Sequence, residues 1–231
     1  MFKGVVKDWK YNLYFVIFSL ISFSFEYYYQ LSLSVLGFTA LARSIALTGA
    51  SFIGIALLLS SVFKYKPKYA KYWKVRRSFG VTGFVFGFIH YLVIISKYYN
   101  FNFSVVFYSF NPFKNPLIFG YLALIVFLPI FLTSTDWAVK KLKRNWKKLH
   151  QTVYVAYMFL ILHFLLIKPD FLKNLAGIKL ITITILVLFS RLYFFIKESR
   201  KRKITDFQTL YGMGIIVLYI IFGYIVFFLK F

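Results

Sequence analysis

Cysteine is absent from the 231 residues of this sequence, and acidic residues and histidines are few, at six and three. The absence of thiols excludes disulfides, thiolate metal sites and iron–sulfur clusters, and it leaves the redox compartment undetermined. The sequence also lacks paired catalytic carboxylates, a Ser-His-Asp set, a phosphate-binding loop and a metalloprotease motif. Any bound metal must therefore use histidine, and any catalysis is confined to electron transfer.

Charged residues make up only 15% of the chain, whereas 61% of its residues are apolar and its mean hydropathy is +0.73. Soluble domains are typically about 45 to 50% apolar, and a membrane-spanning helix needs roughly 20 apolar residues. We therefore predict an all-α, polytopic membrane helix bundle with six core spans and a seventh, C-terminal span. No small-residue cleavage site follows the first span, so we expect it to be retained. The predicted spans are residues 11–29, 45–63, 79–99, 116–135, 150–168, 178–196 and 210–229.

The net charge of +23 is concentrated in short basic clusters between the apolar runs. Such clusters are typical of the cytoplasmic loops of membrane proteins, so we expect the lipid bilayer, and no nucleic acid, as the partner of this charge. A cytoplasmic N-terminus places 21 of the 29 Lys and Arg residues on the cytoplasmic side: three before residue 11, seven in 64–77, six in 140–148 and five in 197–203. The prediction is a membrane protein with a cytoplasmic N-terminus, seven crossings and an outer C-terminus.

Three segments outside the spans have predicted positions. Residues 31–43 form a Ser-spaced amphipathic stretch, which we expect along the outer surface. Residues 100–116 are rich in Phe, Tyr and Asn and contain two Asn-Pro turn signals, which predicts an outer lid. Residues 138–148 are predicted to form a short interfacial helix, which the Ser and Thr hydroxyls at 133–135 are suited to cap.

Glycines at positions 80, 83 and 87 form a strip of small residues on the third predicted span. A strip of this kind lets another group approach the helix backbone closely. It can admit either a neighbouring helix or a flat macrocycle, and the spacing alone does not choose between them.

Two of the three histidines, His90 and His163, lie well inside apolar runs. An ionisable side chain in hydrocarbon is costly unless it is paired, so such residues usually mark a functional site. Both predicted spans run outward, and each histidine lies 13 residues beyond an inner position, Arg77 or His150, which is about 20 Å along a helix. His90 and His163 should therefore share an outer level, where two imidazoles from parallel helices can bind a six-coordinate haem b. For either ring, a hydrogen bond to a neighbouring helix is the alternative.

The inner level differs, because His150 has Arg76 or Arg77 at matching depth instead of a second histidine. His150 is either the only protein ligand of a second haem, with Arg77 pairing a propionate, or part of a quinone or flavin site that takes electrons from the cytoplasmic side. Anchoring at the lipid headgroups is the other interpretation of the arginines. Thirteen residues at about 100° each leave the two levels roughly 140° apart around an ideal helix, which predicts lateral offset of the sites or a kink in the fifth span.

Several short motifs occur together in residues 45–170, and in this combination they resemble the ferric-reductase-like transmembrane superfamily. Within it, the resemblance is to haem-binding membrane subunits of periplasmic methionine sulfoxide reductase systems. It implies haem b, one or two per chain, with His90, His150 and His163 at the metal sites and Arg76, Arg77 and Trp146 as cofactor-binding residues. The motifs are Arg76-Arg77-Ser78-Phe79-Gly80 before His90-Tyr91, the stretch 132–138, Trp146 followed by Leu149-His150, and Leu162-His163.

The resemblance also implies a location in the bacterial inner membrane and the partners. Electrons would come from the quinone pool and pass to a periplasmic molybdopterin protein that repairs oxidised methionine, and flavin mononucleotide (FMN) is associated with such subunits too. The chain would be an electron-transfer subunit of an oxidoreductase and not a complete enzyme. The alternatives are a haem-bearing membrane anchor of another redox complex and a histidine-dependent transporter. We divide the chain into the first span with the outer stretch, 1–44, the haem-binding core, 45–200, and a cytoplasmic linker with the additional span, 201–231.

Overall fold

A computed structural model describes residues 9–167, 173–199 and 214, and these residues form helices joined by short turns. No strand occurs within these ranges, so the predicted all-α architecture is confirmed there. The longer helices are α1, Trp9–Ser32; α2, Gly37–Tyr65; α3, Trp73–Tyr99; α5, Leu117–Leu132; α8, Val153–Ile167; and α9, Leu175–Ser199. The short ones are a 3₁₀ helix, Pro67–Tyr72, and α4, Phe103–Val106; α6, Asp136–Leu142; and α7, Arg144–Gln151.

The described helices are those of a multi-pass membrane protein. Four segments are long and apolar enough to cross a membrane: Gly37–Tyr65, Pro67–Tyr99, Arg144–Ile167 and Leu175–Phe194. The helices α5 and α6, which meet at 92°, add a fifth if the bent pair is one span. The predicted first span is helical as α1, whereas the predicted seventh span lies outside the described residues except for Gly214. The total of six core spans plus one therefore stays a prediction.

The outer surface of the bundle is apolar in the way that hydrocarbon requires. Phe25, Ile125 and Phe189 are each at least 64% exposed, and a contiguous surface of such side chains is unfavourable in water. Several hydroxyl groups on the spans are satisfied within their own helix, whereas those of Thr48, Ser51 and Tyr121 are buried without a partner among the described residues. Ser19, Ser44 and Thr184 each donate to the carbonyl four residues earlier, which avoids an unpaired polar group in lipid.

Helix α2 is the centre of the bundle, where it packs against α1, α3 and α9. Glycines permit this close packing. A Cβ atom added at Gly83 of α3 would lie 2.9 Å from the Gly49 carbonyl oxygen and 3.0 Å from the Ile53 backbone nitrogen of α2. At Gly54 an added Cβ would collide with Ile183 of α9 and the Tyr157 hydroxyl of α8. The glycine strip therefore admits a neighbouring helix at Gly83.

The second half of the segment 31–43, predicted to lie along the outer surface, belongs to a long helix of the bundle. Residues 37–43 form the first turns of α2, which continues without interruption into the bundle. Ala40 and Ala42 are buried at 0% and 3% exposure, because their small side chains let this part of α2 pack against its neighbours. The pattern in residues 37–43 therefore reflects one packed face of α2, whereas the outer position of residues 31–36 stays a prediction.

The predicted interfacial helix at 138–148 is helical but divided. It breaks at Lys143, whose φ of 47° is left-handed, so α6 and α7 run in different directions on either side. The predicted capping is confirmed, since the Thr135 hydroxyl accepts a hydrogen bond of 3.2 Å from the Ala138 amide. This break sends α7 back toward α5.

The segment 100–116 folds over the predicted outer end of the bundle. Asn115 is fully buried, and its side-chain amide donates to the carbonyls of Val106 at 2.8 Å and Ser109 at 3.1 Å. The Asn102 side chain caps α4 by accepting from the Val105 amide. Val106 is thereby held at 0% exposure, facing the cavity described next. One residue of the segment thus lines the cavity, and the function of the segment as a lid stays a prediction.

Candidate functional site

A cavity of about 450 Å³ lies between α2, α3, α5 and α8. Its walls are mostly apolar, and four glycines contribute to them: Gly49, Gly83, Gly87 and Gly120. A Cβ atom added at Gly87 would meet nothing within 4 Å, so the α3 backbone borders open space there. The glycine strip thus packs against a helix at Gly83 and borders the cavity one turn later. A flat, rigid, apolar group can approach the backbone at that point.

His90 of α3 lines the cavity, with its ring held by α2. Its Nδ1 lies 3.0 Å from the carbonyl oxygen of Ala42. A carbonyl oxygen only accepts hydrogen bonds, so Nδ1 donates and Nε2 of the neutral ring keeps its lone pair. Histidines that bind metals are commonly oriented in this way by a carbonyl on the other nitrogen.

His163 of α8 lines the same cavity and is oriented in the same way. Its Nδ1 donates to the Pro116 carbonyl, at 2.9 Å, at the start of α5. The ring lies against Gly120, where an added Cβ would be 3.1 Å from its Cε1 and Nδ1 atoms. The sequence analysis assigned no role to Gly120, which is visible there only as a glycine in an apolar run.

His150 lies elsewhere and does not line this cavity. Its ring stacks on Trp146 with centroids 4.0 Å apart, and its Nε2 is 3.1 Å from the Thr133 hydroxyl. The Trp146 indole donates to the Thr133 carbonyl at 2.9 Å. Helix α7 ends at Gln151 and α8 begins at Val153, so a break separates His150 from His163. The two helices still form one segment that is long and apolar enough to cross a membrane, Arg144–Ile167, and the predicted kink or offset between the two levels stays a prediction.

The two predicted arginines lie near His150 rather than near the cavity. Both guanidinium charges act electrostatically on His150. Arg77 is also paired with Asp136, with Nη2 and Oδ1 2.7 Å apart, and it stacks over Trp73 with its Cζ 4.3 Å from the ring centroid. The sequence analysis gave Asp136 no role, because nothing in the local sequence relates positions 77 and 136.

The six predicted site residues therefore divide into two groups, which we call the cavity pair, His90 and His163, and the Trp146 cluster. The Trp146 cluster comprises Arg76, Arg77, Trp146 and His150, together with Thr133. Among the described residues, no group of three or more His, Asp or Glu side chains converges on a point where it could hold a metal ion. A metal between the cavity pair would need its other ligands from a cofactor.

Comparison with known proteins gives a family match and partial relatives. The model of the family described as ferric reductase like transmembrane component matches residues 45–161, which include His90 and His150 and end just before His163. Curated proteins named protein-methionine-sulfoxide reductase heme-binding subunit MsrQ, from Brucella anthropi, Brucella ovis and Brucella canis, are 30% identical over 94 residues. That alignment covers 40% of this chain and 42% of each relative, about two fifths of their length. No solved structure matches the chain.

Proposed function

The chain belongs to the ferric reductase like transmembrane component family, and from this premise we propose that it is a haem-binding membrane subunit that transfers electrons. The observation that carries the proposal is the cavity pair. Two imidazoles, each held through Nδ1 by a backbone carbonyl, line one apolar cavity. The two Nε2 lone pairs would hold the iron of a haem b.

The residues around the cavity pair fit this cofactor. The open space at Gly87 leaves room for a macrocycle against the α3 backbone. At Gly120 the absence of a side chain lets the His163 ring lie close to α5. The surrounding Phe, Leu and Ile side chains exclude water and suit a porphyrin. When bound, haem supplies reversible one-electron oxidation and reduction at its iron. His90 and His163 would hold it, and the carbonyls of Ala42 and Pro116 would fix both rings.

The Trp146 cluster is proposed as the electron-entry site. With the N-terminus in the cytoplasm, this cluster lies on the cytoplasmic side among the basic segments 64–77 and 140–148. We favour quinol or reduced FMN as the donor there, and not a second haem, because the His150 Nε2 is engaged by the Thr133 hydroxyl. Stacked aromatic rings and two arginines suit a planar donor, and the arginines would bind an FMN phosphate.

A contact between an α3 side chain and an α5 side chain lies between the cavity and the Trp146 cluster. Phe84 lines the cavity and stacks on Phe131, with centroids 4.5 Å apart and planes at 24°. Phe131 lies two residues before Thr133, which holds both Trp146 and His150. This stacked pair places an apolar contact between the cavity and the residues next to the cluster. The electron acceptor on the outer side is proposed to be a periplasmic reductase, such as a methionine sulfoxide reductase, as the name of the curated relatives suggests.

The transporter alternative is less well supported. Within the described ranges, no Asp or Glu side chain lines the cavity. Glu26, 6% exposed, pairs instead with Lys179 and accepts from Gln30, which ties α1 to α9. A carboxylate in such a pair stabilises helix packing and is poorly suited to carry protons.

Visible spectroscopy of the detergent-purified protein tests the proposal directly. We expect a sharp reduced α-band of six-coordinate haem b and, by pyridine haemochrome assay, one haem per chain. Two haems per chain would make His150 a ligand and replace our assignment of the Trp146 cluster. No haem after reconstitution would contradict the proposed function.

The Trp146→Phe substitution is expected to slow reduction by quinol or reduced FMN by up to about ten-fold. It removes the indole donor to the Thr133 carbonyl, a hydrogen bond of roughly 0.5 to 1.5 kcal/mol, while keeping an aromatic ring beside His150. Stopped-flow measurement of haem reduction checks this, and haem content with dithionite should not change. Trp137→Phe, at an exposed indole of α6, is the control. Equal rates of haem reduction in Trp146→Phe and Trp137→Phe would contradict the assignment of the Trp146 cluster as the site of the electron donor.

A further inference from the structure

Arg43 is the only Lys, Arg, Asp or Glu residue among the described residues lining the cavity. It lies in the first turns of α2, directly after Ala42, whose carbonyl holds His90. Within the described part of the chain its guanidinium has no carboxylate partner and no hydrogen bond. An unpaired cation thus faces a cavity whose other walls are mostly apolar.

The neighbouring polar groups do not satisfy this charge. Thr39 and Tyr98, which also line the cavity, are hydrogen-bonded to each other at 3.0 Å. A guanidinium bordering an apolar cavity inside a membrane protein is costly unless an anion pairs with it. Its planar fork of N–H donors matches a carboxylate with two parallel hydrogen bonds. The chemistry of Arg43 therefore calls for an anionic group on the molecule that fills the cavity.

We propose that Arg43 binds a propionate carboxylate of the haem and so orients the macrocycle in the cavity. This inference rests on the proposed function. Consecutive residues of α2 would then have two tasks: the Ala42 carbonyl orients the axial ligand His90, and Arg43 sets the rotation of the macrocycle about the line joining His90 and His163. The acidic edge of the cofactor would lie toward the predicted outer end of the bundle, where α2 begins.

The test compares two iron porphyrins that differ only in their carboxylates. Haem-free protein is titrated with iron protoporphyrin IX and with its dimethyl ester, which has no free carboxylate. Arg43→Gln is expected to weaken binding of the first by about ten- to one-hundred-fold, as the loss of a charge-assisted hydrogen bond implies, and to leave binding of the ester unchanged. Arg43→Lys should give an intermediate affinity, because it keeps the charge without the fork.

Lys97→Gln is the matched control. Lys97 is a cation near the C-terminal end of α3, stacks over Phe38 and does not line the cavity. A second readout is the haem midpoint potential, which should fall in Arg43→Gln and not in Lys97→Gln, since the lost positive charge no longer stabilises the reduced iron. In Arg43→Gln, an equal loss of affinity for both porphyrins, or no loss of affinity for either, would overturn this inference without contradicting the proposed function. If Arg43 instead pairs with an anionic lipid headgroup, Arg43→Gln will bind the two porphyrins equally. Vesicles containing phosphatidylglycerol will then compete with neither porphyrin. Failure of the unaltered protein to bind either porphyrin would instead contradict the proposed function.

Discussion

Replacing His90 or His163 with alanine is expected to leave less than about a tenth of the normal haem content in the purified protein. Each substitution removes one of the two proposed haem ligands, and altering even a group that supports a metal ligand commonly costs 10- to 100-fold in affinity. The partner ring cannot compensate, because it is held on its own helix by a separate carbonyl. The pyridine haemochrome assay, expressed per chain, measures the loss.

Two controls separate ligand loss from misfolding. Ile89→Ala changes the neighbouring residue, which is 42% exposed and lies outside the cavity, and it should keep full haem content. Free imidazole added to His90→Ala should restore part of the six-coordinate spectrum by entering the space that the ring leaves. Full haem content in either histidine variant would refute the pairing of His90 with His163.

The Gly87→Leu substitution should abolish most haem binding while the helix bundle stays folded. Gly87 has no neighbour within 4 Å of an added Cβ, so the protein without haem accepts the side chain, and exchange of a helical glycine is itself slightly stabilising, by roughly 0.5 to 1 kcal/mol for alanine. The leucine side chain would fill space that the macrocycle needs. Overpacking of this kind costs about 1 to 3 kcal/mol, or roughly 5- to 150-fold in affinity, measured by haem titration.

Two other glycines of α3 make the comparison specific. Gly80→Ala should leave haem binding unchanged and should not lower stability, because its Cβ would meet only the Ala56 Cβ at an ordinary 3.8 Å. Gly83→Ala should instead lower the thermal stability of the bundle, since its Cβ would lie 2.9 Å from the Gly49 carbonyl oxygen. Normal haem binding by Gly87→Leu would mean that the cofactor lies away from α3.

The Trp146 cluster shows how far the spacing argument extends. Depth along two parallel helices places His150 level with the arginines, and the positions of Arg76 and Arg77 near His150 agree with that prediction. The same reasoning offers Arg77 as a propionate partner, whereas Arg77 is paired with Asp136 at the surface of the bundle, with Asp136 70% exposed. Helical periodicity predicts the level of a side chain, but it does not predict which residue of another helix pairs with it.

The pattern of residues 37–43, the second half of the segment 31–43, suits two different arrangements. Its alternating polar and small residues suit an interfacial helix as well as one packed face of a buried helix, because both need one apolar side. Burial of Ala40 and Ala42 inside the bundle decides for the second. The role now proposed for Arg43 follows from that burial, and a hydropathy pattern alone counts this arginine as an ordinary loop cation.

The sequence by itself determined the helical class, the membrane environment, the basic clusters and the restriction of metal binding to histidine. These properties follow from composition and from periodicity within single helices, which are local. The tertiary structure decided which carbonyls hold His90 and His163, that Asp136 pairs with Arg77, and that Arg43 faces the cavity. The three pairings join residues 48, 47 and 59 positions apart, and they depend on how each helix is rotated and packed against the next, which no local pattern specifies.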